Sequence, residues 1–315
     1  MTRYLLSRLV QAVLILVGVL ILVFFMLRLT GDPTNLMVPR DATAEQRERA
    51  RVALGFDRPL PVQFGEFVLN ALTGNFGRSL RYGRPAMSLI LERLPATAEL
   101  ATTALLMSLL IGVPLGMIAG SRPGTVWDLL GRGIGLLGQT IPGFWLALML
   151  IVVFAVNLRV LPSFGRETWE ICCGLRLPAN NIILPAFALS IFTMGQLVRF
   201  TRAAVLEVRN EDYIRTARGK GLPGRTVYTR HVLRNVAIPV ISIVGVQFGY
   251  LLSGSIYIET IFSWPGLGNL LAEAVGNRDY ALVQALAFFA SLVVVALNLA
   301  TDIAYAFADP RIRYG

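Results

Sequence analysis

Residues 199–239 read RFTRAAVLEVRNEDYIRTARGKGLPGRTVYTRHVLRNVAIP, a basic segment between two apolar runs. From Arg199 to Arg234 it carries nine Lys/Arg against three acids, Glu207, Glu211 and Asp212. Its centre predicts a short helix, a glycine break and a second helix. Asn210 is placed as the N-cap, its side chain accepting from first-turn amides. Glu211 and Asp212 then face the positive end of the helix dipole. Gly219 and Gly221 interrupt, and Pro223 suits the first turn of the second helix. Such a segment, held on two spans, is either a solvated face or a surface that presses on a soluble partner.

The flanking runs decide which class of protein carries it. Of 315 residues, 55% are apolar and 15% charged, against about 25% charged in a soluble domain. This composition marks an all-α polytopic membrane protein. The formal charge of +10 would suggest nucleic acid in a soluble chain; here the charges fall between apolar spans, so topology explains them and no nucleic-acid partner is expected.

Six spans are expected. Leu9 to Leu27, preceded by Arg3 and Arg8, is the first, read as uncleaved because its apolar run exceeds a signal-peptide core. Residues 28–99 form an insert with ten arginines and eight acids. Within it, Thr43 and Gln46 suggest a capping box opening a helix that Gly55 stops, and Phe64–Leu72 and Met87–Leu94 read as short amphipathic helices. Leu100–Gly120 is span 2. Arg122, Asp128 and Arg132 are placed in a short loop, and Gly133–Leu158 is span 3, with Pro142 and Gly143 at mid-membrane. These two either bend the helix or shape a pathway, since a freed carbonyl there must face protein or water. A loop with Cys172 and Cys173 leads to span 4, Leu177–Val198. Span 5, Asn235–Ile258, contains Pro239, Gln247 and Tyr250, and its Gly245, Gly249, Ser253 and Gly254 suggest a close helix contact. Residues 259–279 form a loop with a short helix from Leu267. Tyr280–Thr301 is span 6, and 302–315 the tail.

Basic residues orient the spans. With the N-terminus inside, the cytoplasmic pieces carry 15 Lys/Arg and the two short external loops four. The expectation is N-in, C-in, with 199–234 cytoplasmic and 28–99 external.

The chemistry is sparse. No expected span interior holds an Asp, Glu, Lys, Arg or His. There is no nucleotide-binding glycine loop, nucleophile–base set or metal-ligand spacing. Cys172 and Cys173 are adjacent and indicate neither a disulfide framework nor a metal site. No cofactor is expected on this chain. Three classes fit: the membrane subunit of an energised importer, a self-contained channel or secondary carrier, and a scaffold. The basic segment favours the first.

Further motifs are LTGDPTNLM, ALGFDRPLPVQF, GNFGRSL, ERLPATAEL, IPGFW, LPSFG, EDYIRTARGKGL, HVLRNVAIPV, ETIFSWPGLG and DPRIRYG. In this order they resemble, from end to end, the permease subunits of bacterial dipeptide, oligopeptide, nickel and glutathione ABC importers with a long first external loop. The resemblance implies a bacterial inner-membrane location and an assembly with a second permease, two ATPase subunits carrying ATP and Mg, and an external solute-binding protein. It makes the segment around residues 212–221 the coupling element, with Asp212, Tyr213, Arg215, Thr216, Ala217, Gly219 and Gly221 as ATPase contacts. Arg215, Thr216 and Ala217 occupy the place of the broader Glu-Ala-Ala signature, Gly221 is its glycine and Pro239 its closing proline. The leading Glu is absent, Gly219 stands at a common alanine, and the proline follows Gly221 by eighteen residues. Opposite lie the external docking candidates Trp264, Pro265 and Gly266. Trp264 reads equally as an anchor at the membrane interface.

Overall fold

The structure, a computed structural model, describes residues 2–29, 43–53, 56–171 and 175–308. The Cys pair, Gly55, most of LTGDPTNLM and the DPRIRYG tail lie outside them or at their edge. In chain order the helices begin with α1 (Thr2–Leu29), α2 (Ala44–Ala53), α3 (Leu60–Leu72), α4 (Ala86–Ser121), α5 (Val126–Thr140) and α6 (Gly143–Leu150), whose last turns widen into a π segment, Ile151–Asn157. An antiparallel hairpin comes next, β1 (Thr168–Ile171) and β2 (Leu175–Pro178), pairing Thr168 with Pro178 and Ile171 with Leu175. After a 3-10 turn, Asn180–Ile182, come α7 (Ile183–Val208) and α8 (Asp212–Gly219). One turn at Gly224–Thr226 and a π segment, Val227–Val232, lead into α9 (Leu233–Ile261), then α10 (Leu267–Gly276) and α11 (Tyr280–Ala308).

Among the described residues four helices are long and apolar enough to cross a membrane: Ser7–Met26 within α1, α4, Asn180–Val208 including α7, and Tyr280–Thr301 within α11. α5 and the α6–π segment qualify only as a pair, bent by 103°. The bend is written at Pro142, which disfavours the helical conformation of the residue before it. Ile141 accordingly takes an extended ψ of 123°. Span 3 is therefore two helices meeting at a corner, and Asp128 and Arg132 lie on α5 rather than in a loop. One other expectation needs correction. Met87–Leu94 is not a separate helix, because α4 runs unbroken through Pro95 and Pro114 for 36 residues. The loop expected before span 4 carries a short hairpin, a local feature of an otherwise helical architecture.

The chain divides into two compact units. In the first, residues 1–95 and 269–315, α1 packs along α11. Phe24 is 5.1 Å from Phe64 and 5.8 Å from Phe67 between ring centres, and Phe76 continues the series to Phe288 at 5.4 Å. The capping box is present, with Thr43 N–H donating to Gln46 Oε1 and Gln46 N–H to Thr43 Oγ1. The GNFGRSL loop is shaped by Gly74 and Gly77, both at positive φ. It is tied down by Ser79, whose hydroxyl donates to Asp279, while Asp279 caps α11 through the Leu282 amide. Tyr82 donates to Glu273 at 2.5 Å, a bond that raises its phenol pKa and keeps it protonated.

The second unit, residues 96–268, is organised on α7, which is 72% buried along its apolar window. Two glycine rows let neighbours approach its backbone closely. On α4, a Cβ at Gly116 would stand 2.6 Å from Thr201 Cβ, and one at Gly120 2.7 Å from Val205 Cβ. On α5, a Cβ at Gly138 would stand 2.6 Å from the Ile191 carbonyl oxygen. At Gly249, one of the residues expected to make the close contact on span 5, an added Cβ would meet nothing within 4 Å; the expectations for Gly245, Ser253 and Gly254 fall outside the described residues.

Candidate functional site

α8 is short but firmly seated. Ile214 and Ala217, one helical turn apart, are 0% and 7% exposed and join a core of Leu197 and Val205 from α7, Val227 and Val232 from the π segment, and Val236 and Val240 from α9. Spacing of i, i+3 puts both on one face, which leaves Asp212, Tyr213, Arg215, Thr216, Gly219 and Gly221 exposed. Ala217 thus faces the chain's own core, which corrects the expectation that it meets a partner. Arg215 lies 3.4 Å from Asp212, and the Thr216 hydroxyl donates to the Asp212 carbonyl at 2.9 Å. Tyr213, partly desolvated and near Glu211, has its phenol pKa raised.

The helix ends are set by the backbone. Glu211, not Asn210, occupies the N-cap position, without a side-chain cap bond. At the other end Gly221 adopts φ +78°, donating its amide to the Arg218 carbonyl at 2.9 Å while Leu222 donates to Ala217 at 3.3 Å. This paired pattern is the Schellman stop, and it demands a left-handed residue at Gly221. Gly219 is the last helical residue and does not break the helix. Pro223 precedes the next turn as its N-cap instead of lying inside it.

Asp128, which the sequence places in a loop, braces this end of the unit. It is 2% exposed, accepts from Arg202 of α7 at 2.5 and 3.2 Å, and accepts from the Gly124 amide at 3.0 Å. Nothing in the local pattern singles it out, since its partner lies 74 residues away.

The expected pathway residues separate. Gly143 and Tyr250 share a groove of about 290 Å³ with Phe144, Phe192, Tyr257 and Ile258, at the corner between α5 and α6. Phe192 and Tyr250 rings lie 5.1 Å apart, and Pro142 forms the corner. Gln247 is elsewhere: 5% exposed, its amide donates to Gln196 of α7. Pro239 is a helical residue of α9.

The external candidates are also redistributed. Trp264 is 0% exposed, and its indole N–H donates to the Ala96 carbonyl at 2.8 Å. A docking contact and a membrane anchor both require an exposed ring, so both expectations are corrected. Gly266 is buried as well, against Glu259, while Pro265 is partly exposed. Glu259, expected at the start of a loop, ends α9 with 0% exposure. Its carboxylate accepts from Thr97 at 2.8 Å and from the Gly268 amide at 2.7 Å, and Thr97 accepts from the Leu267 amide at 2.7 Å. Two of the sequence motifs, ERLPATAEL and ETIFSWPGLG, therefore meet here. Among the described residues no cluster of three or more His, Cys, Asp or Glu is placed to hold a metal.

The chain is similar to known proteins over its whole length. Residues 112–314 match the binding-protein-dependent transport system inner membrane component family, and residues 1–101 match its N-terminal counterpart. A putative peptide transport system permease protein of Brucella abortus is 39% identical over 318 aligned residues, covering both chains completely. An oligopeptide transport system permease protein of Bacillus subtilis and a glutathione transport system permease protein of Salmonella typhimurium are each 38% identical, again over the whole of both chains. Among solved structures, an inward-facing form of the MetNI methionine ABC transporter superposes with a TM-score of 0.54 at 17% identity, covering 71% of this chain and 97% of the other, a likeness of fold.

Proposed function

Because the chain belongs to the family of binding-protein-dependent transport system inner membrane components, we propose that α8 is the element through which a separate ATPase drives it. The protein is a multi-pass inner-membrane permease subunit of an ATP-driven importer. Its solute class is a short peptide or a related small molecule such as glutathione, in keeping with the relatives' names. The chain itself is not the enzyme: ATP and Mg belong to partner subunits, and a second permease and an external solute-binding protein complete the assembly. Six spans with both ends inside result when the bent α5–α6 pair counts as one span and the 29-residue α9 as another. The excess of basic residues between α7 and α9 supports that orientation.

The observation that carries the reading is the two-faced seating of α8. One face is locked into the core through Ile214 and Ala217, and the other presents Asp212, Tyr213, Arg215 and Thr216 outward. A helix gripped by the ends of α7 and α9 passes a push to both without dissipating it in a loop. In the membrane, the groove at the α5–α6 corner supplies half of the passage. The first amides of α6 have no preceding turn to accept them, and non-helical backbone at that depth is tolerated where it lines a watered cavity. Tyr250 brings a hydroxyl to the same place.

Substituting Gly221 with Val tests the coupling role. A β-branched residue at φ +78° unwinds the helix stop, so the complex assembles in normal amount while ATP hydrolysis and uptake fall together. A variant that assembles, hydrolyses and transports like the parent overturns the assignment. A self-contained channel or carrier makes the opposite prediction, uptake without any ATPase partner.

A further inference from the structure

We propose that Glu259 is a positioning residue for transport, fastening the outer end of α9 to the start of α10 so that a movement of α9 is delivered to the external face. The inference rests on the coupling role of α8. Its starting point is that α9 is one uninterrupted helix, 29 residues and about 43 Å long. Its first turns carry Val236 and Val240, which pack with Ile214 and Ala217 of α8. Its last turn carries Glu259. A rod gripped at one end transmits displacement only if its other end is gripped too.

The outer grip includes three ties among the described residues. Glu259 Oε2 accepts the Gly268 amide and Oε1 accepts the Thr97 hydroxyl, while Thr97 Oγ1 accepts the Leu267 amide. Leu267 and Gly268 open α10, so a negative carboxylate meets first-turn donors at the positive end of that helix. The site leaves no room for variation. A Cβ on Gly266 would collide with the carboxylate, and one on Gly268 would stand 2.6 Å from Ile256 Cα. Trp264 adds a further bond to the same turn of α4, donating to Ala96, the residue before Thr97. Burial of a carboxylate is costly unless it is bonded, and apolar packing alone would join these segments at less cost. What the carboxylate adds is direction: a bonded, water-free joint keeps its geometry under load, whereas an apolar contact slides.

The test reads movement and nucleotide binding separately. In a chain with Cys172→Ser and Cys173→Ser, a bimane fluorophore is placed on Asn277→Cys just beyond α10, and the complex with its ATPase subunits is mixed with ATP and vanadate. The parent is expected to change its bimane emission on trapping nucleotide. Glu259→Gln is expected to trap the same amount of nucleotide with the emission change reduced about fivefold, the lower range for coupling between sites. A role confined to stability lowers yield and melting temperature but leaves the change per trapped complex intact, and that result overturns the inference. So does a parent that traps nucleotide without any emission change. If Glu259→Gln fails to assemble, Thr97→Val decides: it loses two of the three ties, and an undiminished signal overturns the inference. A parent that traps no nucleotide refutes the coupling role itself, a distinct outcome.

Discussion

Glycines divide by what surrounds them, and two kinds of test result. Gly116 lies where an added Cβ meets Thr201 and the Val198 carbonyl, whereas Gly133, on α5, has nothing within 4 Å. Gly116→Ala is therefore expected to destabilise by about 1–3 kcal/mol, the usual cost of overpacking. Gly133→Ala is expected to be neutral or to stabilise by about 0.5–1 kcal/mol through helix propensity. Melting midpoints of the two purified variants in one detergent check the contrast, and equal shifts would refute the close α4–α7 approach. At Gly221 the cost is conformational, since φ is +78° in open space. Gly221→Ala should lose about 1–2 kcal/mol of local stability while Gly219→Ala loses none, as measured by amide exchange of the Leu222 peptide. Gly221 was legible because a glycine after a short polar helix is a stop signal. The role of Gly116 was not, because the residue that needs its missing side chain lies on another helix.

At the scale of the element, α8 is expected to separate into a structural and a functional face. Ile214→Ala removes a fully buried side chain, a change that costs about 2–5 kcal/mol in a packed core. Exchange of the α8 amides should accelerate and ATPase co-purification should fall with it. Tyr213→Ala, on the 42% exposed side, should leave exchange unchanged and lower co-purification alone. Unchanged co-purification in a Tyr213→Ala, Arg215→Ala double variant would move the contact off this helix. The bent α5–α6 pair yields a second contrast. Tyr250→Cys should react with a water-soluble maleimide, because Tyr250 is 49% exposed in the groove, and Gln247→Cys should not, at 5% exposed. Equal labelling would show that the groove is not the watered face. Pro142 announced a break in the sequence; that the break amounts to a 103° corner comes from what α5 and α6 each pack against.

For the whole molecule, orientation is the open quantity that experiment decides most directly. On the Cys-free background, Arg225→Cys is expected to resist an impermeant thiol reagent in intact cells and Asn277→Cys to react, with Ser121→Cys resisting like Arg225→Cys. Labelling of Arg225→Cys from outside would invert the topology and place α8 on the wrong side for an ATPase.

What the sequence determined by itself was whatever depends on local order along the chain. The apolar runs set the helices, Thr43 and Gln46 the capping box, Pro142 the break, and the basic residues between α7 and α9 the expected side of α8. What only the tertiary structure decided was which side chains lose their solvent. Trp264 reads as a surface ring until Ala96 takes its N–H, and Asp128 reads as a loop charge until Arg202 arrives from α7. Ala217 reads as a contact residue until Ile214 shows which face is buried. Glu259 stands at an apolar boundary where a charge is ordinary. It becomes a joint only because folding brings Thr97, 162 residues away, within 2.8 Å, and a carboxylate shut away from water must find its donors inside the protein.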